Sequence, residues 1–546
     1  MAPTSRVKKA VAIVNSKLTV KWAAILLSGS TLIASLLGFY RDRLLNRLYF
    51  ENYPVGLDAY TAAFLVPDFM YFLLVSGALS VSFIPVLNQR LSSGNKKSAW
   101  ELSSSLINFM ALVTLVASIL IMIFAEPLVK YVVIPNAGES AQALAISMMR
   151  VIAVNPFLFA IATVIASMQQ AVGRFAFYAM APAVYNIGII IGAQFFTGGI
   201  NIFGWQVFDG GIMGVALGVV LGSMLQLIIS AVGLIGLGFD YQFKIFWQNM
   251  GFRKVLRLLP ARSLDQGLDY INSLVEINLA SGMGSGVIRA FQQASTLALL
   301  PVNLIGVSIS NAYFPQMSDM VAKGETKKLR DDLAKIVRMI IWIILPVAVV
   351  MFFARGYVAS FLVEGGAILI SGILGCLILS IMFRTIYHIG ARVFYAHQNT
   401  KIPLYISCFA IAFNIVLAVL FTKQLNMGAY GLAWAQSIMA VVEVVILYAV
   451  MTKLVPGLFD GRFFHAIGRM LGAAGATSLV AYAAVLMLPL QSADTGFWAI
   501  FPKFVIITFV SFAFYLWVSN LLKIGETQPV ISRIRKILFD SAGAKR

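Results

Sequence analysis

The chain has 546 residues, 60% hydrophobic and 12% charged, with a formal net charge of +19 and a mean hydropathy of +0.88. Soluble domains carry about 45–50% apolar and about 25% charged residues, so a soluble globular protein, a disordered chain and a fibre are excluded. What remains is an all-α polytopic membrane protein, whose basic excess belongs in orienting loops and calls for no nucleic-acid partner.

Residues 1–21 carry Arg6, Lys8, Lys9, Lys17 and Lys21 ahead of a long apolar run. A signal peptide has a shorter apolar region and a small-residue cleavage site, so this segment reads as a basic cytoplasmic start to an uncleaved first helix. From there, apolar runs of roughly 20 residues divided by short polar breaks predict about fourteen transmembrane helices. Residues 22–238 hold six of them, 239–254 form a cytoplasmic linker, and 255–452 hold six more. Residues 464–521 supply the last two, and 522–546 are a basic cytoplasmic tail.

Loop charge supports the count. One set of connections carries Arg90, Lys96 and Lys97, then Arg174, Lys244, Arg253 and Lys254, then Lys323, Lys327, Lys328, Lys401, Lys453 and Arg462. The alternate set is poor in Lys and Arg, which places both termini inside. Arg41, Arg43 and Arg47 break the pattern at the first outer turn and become candidates for function.

The chain repeats itself. Ser80-Val81-Ser82-Phe83-Ile84-Pro85, with Gly94 and Lys97, returns as Ser310-Asn311-Ala312-Tyr313-Phe314-Pro315, with Gly324 and Lys327. Gly211-Ile212-Met213-Gly214-Val215-Ala216 returns as Gly428-Ala429-Tyr430-Gly431-Leu432-Ala433, and Gln170 and Asn186 have counterparts in Gln398 and Asn414. An even number of spans per half makes these parallel repeats, a common transporter plan.

Ionisable residues inside a membrane cost about 2.5–3.5 kcal/mol each and mark function by default. The seventh span carries Arg262, Asp265, Asp269, Asn272 and Glu276 three and four residues apart, on one helical stripe that faces water or the other half. Ion pairs of Arg262 with Asp265 or Asp269 are the structural alternative. The eighth span has a second stripe of Arg289, Gln292, Thr296 and Asn303. The first has Ser28, Thr31 and Ser35 leading to Asp42, and the tenth has Arg384, His388 and Arg392. Arginine binds phosphate bidentately, so Arg41, Arg289 and Arg384 are the expected contacts for an anionic headgroup. His388 is expected to make a structural hydrogen bond, and Arg392 and His397 to snorkel to the inner surface. Cys376 and Cys408 read as buried small hydrophobes. Three histidines are too few for a zinc cluster, no phosphate-cradling Gly-rich motif occurs, and no loop is long enough to hold an enzyme's acid and base groups. A transporter without a cofactor is expected, driven by a monovalent cation or the membrane potential, with Asp265, Asp269, Glu276 and Asn414 as candidate coupling residues.

Leu37-Gly38-Phe39-Tyr40-Arg41-Asp42 resembles the first-helix LGFxRD motif of the MurJ/MviN lipid II flippases. Asp58-Ala59-Tyr60 with Val66-Pro67-Asp68 resembles that family's DAF…LPN segment, and Gly77-Ala78-Leu79-Ser80 with Phe83-Ile84-Pro85 its GAFS..FVP stretch. Gly173-Arg174-Phe175 with Ala181-Pro182 and Asn186 resembles NRF…AP..N, and residues 394–403 resemble FYARQDTKTP. The resemblance implies a MATE-like, two-lobed, fourteen-helix fold of the multidrug/oligosaccharidyl-lipid/polysaccharide exporter superfamily. It implies alternating access and movement of lipid II from the inner to the outer leaflet of the bacterial inner membrane, with a lipid-tail groove at the last two helices.

Arg41, Asp42, Asp58, Arg289, Arg384, Thr296 and Ser35 are the substrate-binding candidates. The sequence departs from the family where arginines are usual: Ser35, Tyr71 and Thr296 stand at those positions. Partners expected are lipid II or a related polyprenyl-pyrophosphate lipid, membrane lipids and cell-wall synthesis proteins. A flippase for another lipid-linked oligosaccharide is the nearest alternative; a cation-coupled drug exporter and a non-transporting envelope scaffold stand further off.

Overall fold

The structure, a computed structural model, describes residues 20–76, 83–202, 205–363, 367–491, 494 and 496–532; the side chains of 258–269, and of some residues at 20–24 and 200–207, lie outside the described set. Among the described residues eleven helices are long and apolar enough to cross a membrane. A twelfth is the bent pair Ala367–Cys376 and Ile378–Ala396, kinked by 50°. Val20–Tyr49 and Met250–Ala280, of 30 and 31 residues, complete fourteen helices of spanning length, each about 45 Å long against a hydrocarbon core of about 30 Å.

The chain divides into two compact units, residues 1–288 and 289–546. In the first, α1 (Val20–Tyr49), α2 (Pro54–Tyr71, continued as a π-turn over Phe72–Ser76) and α3 (Ile84–Ser92) are followed by α4 (Lys96–Pro127), α5 (Glu139–Ile152), α6 (Asn155–Ala171), α7 (Ala176–Ile191), α8 (Met213–Val232) and α9 (Met250–Ala280). Residues at the helix starts say why they begin there. Asn95 accepts from Ser98 N at 3.1 Å, and Asn249 from Gly251 N at 3.1 Å and Phe252 N at 3.3 Å, satisfying N–H groups that have no partner within the helix. Pro54 and Pro156 occupy first-turn positions where a missing N–H costs nothing.

The packing places α9 with the first unit, whereas the sequence reading began the second lobe at 255. The reason is side-chain contact. Tyr270 stacks on Phe72 at 4.8 Å, Asn278 Nδ2 donates to Val132 O at 2.7 Å, and Gly282 lies against Asn136. A short antiparallel hairpin, β1 (Ile200–Ile202) and β2 (Trp205–Phe208), lies in the α7–α8 connection and is, among the described residues, the one sheet in an otherwise helical chain.

The α7–α8 pair shows what replaces the hydrophobic effect in lipid. A Cβ on Gly188 would come within 2.3 Å of Gly222 Cα, and one on Gly192 within 2.4 Å of Gly218 Cα. These glycines let two backbones meet, so that close van der Waals contact holds the helices together.

The second unit comprises α10 (Val287–Pro301, continued as a π-turn over Val302–Val307), α11 (Ser308–Ala322), α12 (Thr326–Phe353), α13 (Arg355–Ser360), α14 (Ala367–Cys376) and α15 (Ile378–Ala396). Then come α16 (Lys401–Val419), α17 (Gly428–Leu454), α18 (Gly461–Met487) and α19 (Phe497–Leu521). A core of Met317, Leu333, Ile340, Phe394, Leu447 and Met451 fills it. Trp342 of α12 packs with Met470 and Tyr515, which fastens the last two helices to this unit. Arg338 Nε to Glu526 Oε1, 2.8 Å, adds an ion pair there.

The sequence repeat is visible as repeated geometry. Gly94 and Gly324 both adopt positive φ (76° and 70°), and the N–H groups of Asn95 and Glu325 reach back to Arg90 O and Met320 O. These are matching glycine helix stops. Gly214 at the start of α8 abuts Phe196, and Gly431 at the start of α17 abuts Phe421, each the end of the preceding span. Residues 77–82, the first half of the other repeat, lie outside the described residues.

The cysteine expectation is corrected. Cys408 is exposed and Cys376 only partly buried. Apolar sequence cannot separate a core position from a lipid-facing one, and Trp498, Phe509 and Leu479 are likewise exposed.

Candidate functional site

In the first unit the site is built on α1 and α7. Gly38 of α1 faces the Asn186 amide of α7, which lies 3.7 Å from the position a Cβ would take, an ordinary contact distance. Asn186 spends both N–H groups on carbonyls, donating to Ala34 O at 3.2 Å and Pro182 O at 3.1 Å. Its oxygen is thereby turned toward Arg41, whose Nη1 donates to it at 2.9 Å. Arg41 Nε and Nη2 donate to Asp42 Oδ1 at 3.2 and 2.9 Å. Three of the five guanidinium N–H groups are used, leaving one on each terminal nitrogen. The Arg41 side chain is 24% exposed. A positioned, partly open guanidinium edge of this kind matches two oxygens of a phosphate. Tyr60 and Tyr185 lie within electrostatic range of the same arginine.

The other candidates in this unit are placed differently. Ser35 is exposed on α1. Arg43 is half-buried and Arg47 exposed in the last turn, where a cation complements the helix dipole. Asp58 is buried and accepts from Gly286 N, 2.5 Å, pinning the turn after α9 to α2. Tyr71, at the family's arginine position, bonds Thr163 Oγ1 at 2.9 Å. Of the α9 stripe, Arg262, Asp265 and Asp269 have side chains outside the described residues, so neither their exposure nor an ion pair among them is described. Asn272 and Glu276 are buried, with Asn272 Nδ2 donating to Glu276 Oε1 at 2.9 Å, so this end of the stripe does not face water.

In the second unit Arg289 is buried (4% exposed) and its guanidinium reaches the Gln293 amide oxygen at 2.8 Å once that amide is oriented to accept. Thr296 is exposed and turns its hydroxyl back to Gln292 O at 2.9 Å. Arg384 lies mid-span on α15, half-buried, with no acid pairing it among the described residues and a buried Nε that has no hydrogen-bond partner. Asn414 is fully buried on α16.

One local expectation is corrected. His388 makes no hydrogen bond among the described residues; Arg384 and Arg392 lie within electrostatic range of it, and its ring meets Tyr387 edge-on at 6.0 Å. Arg392 is held by Asn311 and lies over the Phe314 ring at 5.3 Å. His397 Nδ1 is 2.8 Å from Val393 O, a helix-end contact.

Three features escaped the sequence reading. Asn186 was visible as a repeat counterpart but not as the arginine's anchor. Asp68, discussed below, was seen only as part of a motif. Glu443 is a buried intramembrane acid that accepts from Ser407 Oγ at 3.0 Å, with Tyr387 Oη 2.9 Å from the same hydroxyl. A lone acid within the apolar run 428–454 was signal enough to find it.

Among the described residues, eleven to twelve apolar membrane-spanning helices with two more of spanning length, a repeated sequence pattern and arginines within the spans are the architecture of a MATE-like transporter. Solved structures agree on the fold. "Lipid II flippase MurJ, inward closed conformation" aligns with a TM-score of 0.72 at 24% identity, covering 91% of this chain and 98% of that one. An inward-facing multidrug resistance MATE family transporter aligns at 0.66 and 17% identity, covering 80% and 98%. The family model for "Lipid II flippase MurJ" matches residues 54–508. The chain therefore belongs to the MurJ lipid II flippase family, a family of transporters and not of enzymes. Among curated relatives named "Probable lipid II flippase MurJ", that of Bdellovibrio bacteriovorus is 26% identical over 80% of this chain and 83% of its own. That of Thermotoga maritima is 22% identical over 92% and 97%.

Proposed function

We propose that this chain moves lipid II from the inner to the outer leaflet of the bacterial cytoplasmic membrane by alternating access. Both termini then lie in the cytoplasm, and enzymes of wall synthesis use the product. The observation that carries the reading is the Arg41 guanidinium. Asn186 and Asp42 orient it while leaving one N–H on each terminal nitrogen for a pyrophosphate. Arg384, a mid-span cation with no acid pairing it among the described residues, is the expected phosphate contact of the second unit. Arg289 is engaged by Gln293 and belongs to the same proposal as a substrate-binding residue of the second unit. Coupling to a monovalent cation or to the membrane potential, through Asp265, Asp269, Glu276 or Asn414, belongs to the same proposal.

One observation favours a second reading, a flippase for a different polyprenyl-pyrophosphate oligosaccharide. Ser35, Tyr71 and Thr296 replace three arginines of the family pattern; Tyr71 is turned to Thr163 of α6 and Thr296 to a carbonyl of its own helix. Expression in cells depleted of their own flippase separates the readings. Rescue of growth by the chain, lost in R41A at equal protein level, supports lipid II. Failure of the wild-type chain to rescue, with another lipid-linked sugar retained in the inner leaflet of its own host on depletion, supports the second.

A further inference from the structure

Asp68 lies on α2 about 21 Å along the helix from Pro54, at the 1.5 Å rise of a helix. That is well inside the 22-residue span Pro54–Val75. It is half-buried and makes no hydrogen bond or ion pair among the described residues. A bare carboxylate at that depth is costly, and a neutral acid is not.

Among the described residues, which leave out the side chains of Arg262, Asp265 and Asp269 on α9, its surroundings supply no counter-charge. Tyr71 on its own helix and Tyr185 on α7 are the titratable groups within electrostatic reach. Tyr71 is committed to Thr163. Tyr185 lies within electrostatic reach of Arg41 of α1 and Tyr60 of α2 as well. From α9 the described group on this part of α2 is the Tyr270 ring, against Phe69 and Phe72. Asp68 and Arg41 therefore act on one tyrosine, while Arg41 keeps its own contacts to Asp42 and Asn186.

We propose that Asp68 is a proton-binding site inside the membrane that sets how strongly Arg41 attracts an anionic substrate; the second half of the statement rests on the transport reading above. The carboxylate takes a proton from water to become the neutral acid and returns it to water. As the anion it offsets the field of Arg41, and as the acid it leaves that field undiminished.

The test uses the full chain in liposomes, comparing wild type with D68N. Asparagine is the residue the family's motif carries at this place, so the helix is kept. Infrared difference spectra from about pH 5 to about pH 9, where buried carboxyls titrate, are expected to show a protonated-carboxyl stretch that fades with rising pH in wild type and is absent in D68N. Identical spectra overturn the proton site. Affinity for added lipid II is expected to weaken several-fold with rising pH in wild type and to stay at the low-pH value in D68N. A pH dependence that persists in D68N overturns the coupling. A titrating band in a protein that binds no lipid II at any pH sustains the proton site and counts against the transport reading instead.

Discussion

Arg41 and Asn186 stand 145 residues apart and meet at 2.9 Å, the guanidinium of the first span resting on the amide of the fifth. The amide's own two donors are held by Ala34 O and Pro182 O. Its oxygen therefore has a fixed direction before any substrate arrives. Removing it with N186A frees the arginine to swing toward Asp42. A hydrogen bond to a charged group contributes about 1.5–3 kcal/mol, so affinity for lipid II is expected to fall about 10- to 100-fold. N186A is expected to sit between wild type and R41A in a binding titration. Equal affinity of N186A and wild type would show that the amide does not position the arginine.

Arg384 carries the opposite signature. A buried guanidinium nitrogen without a partner is a cost to folding. R384M is expected to raise the melting temperature in detergent while lowering lipid II affinity at least several-fold, the trade-off typical of a functional site. A merely structural arginine would lower both.

The α7–α8 contact is set by glycine. G192L places four heavy atoms where Gly218 Cα stands 2.4 Å from a Cβ, and overpacking costs about 1–3 kcal/mol where neighbours cannot move. G192L is expected to melt well below wild type. G29L, at a position with nothing within 4 Å, is the control and is expected to be near neutral.

Arg338 and Glu526 join α12 to the turn after the last span, and both side chains are less than one quarter exposed. E526Q leaves the guanidinium partly buried against a neutral partner, an effect of about 1–3 kcal/mol. Faster proteolytic removal of the chain beyond residue 525 in E526Q is the expected result, and unchanged cleavage would assign the attachment to Trp342 and its apolar neighbours alone.

The loop before the last span responds to acid. Lys503 Nζ bonds Asp494 Oδ2 at 2.6 Å, and the Gln491 N–H donates to the same oxygen at 2.8 Å; these bonds hold the carboxyl below its ordinary range. A depressed folded value means the contribution is fully present above the unfolded value, about 4, and is lost as pH falls through the folded one. The melting difference between wild type and D494N is expected at neutral pH and to vanish in stronger acid. A difference that survives there would show that the carboxyl acts by shape and not by charge.

Much of this was legible in the chain because a membrane restricts the alternatives. Apolar runs fix the spans, and the glycine pattern at 211–216 and 428–433 fixes the repeat, since both copies begin a helix beneath the end of the one before. Arg41 was legible for a different reason, a basic residue in an otherwise cation-poor set of connections. The anchor Asn186 was not, because pairing across 145 residues depends on which faces α1 and α7 present to one another. Nor was the affiliation of α9, decided by the stacking of Tyr270 on Phe72. Exposure of Cys408 was hidden as well, because lipid and protein core select the same side chains.

The central claim is that Arg41 holds the pyrophosphate of lipid II during its passage. It is tested most directly by measuring lipid II in the outer leaflet of cells depleted of their own flippase and expressing this chain. Wild type is expected to restore outer-leaflet lipid II, and R41A, at equal membrane abundance, to leave it in the inner leaflet. Restoration by R41A to the wild-type level would contradict the account.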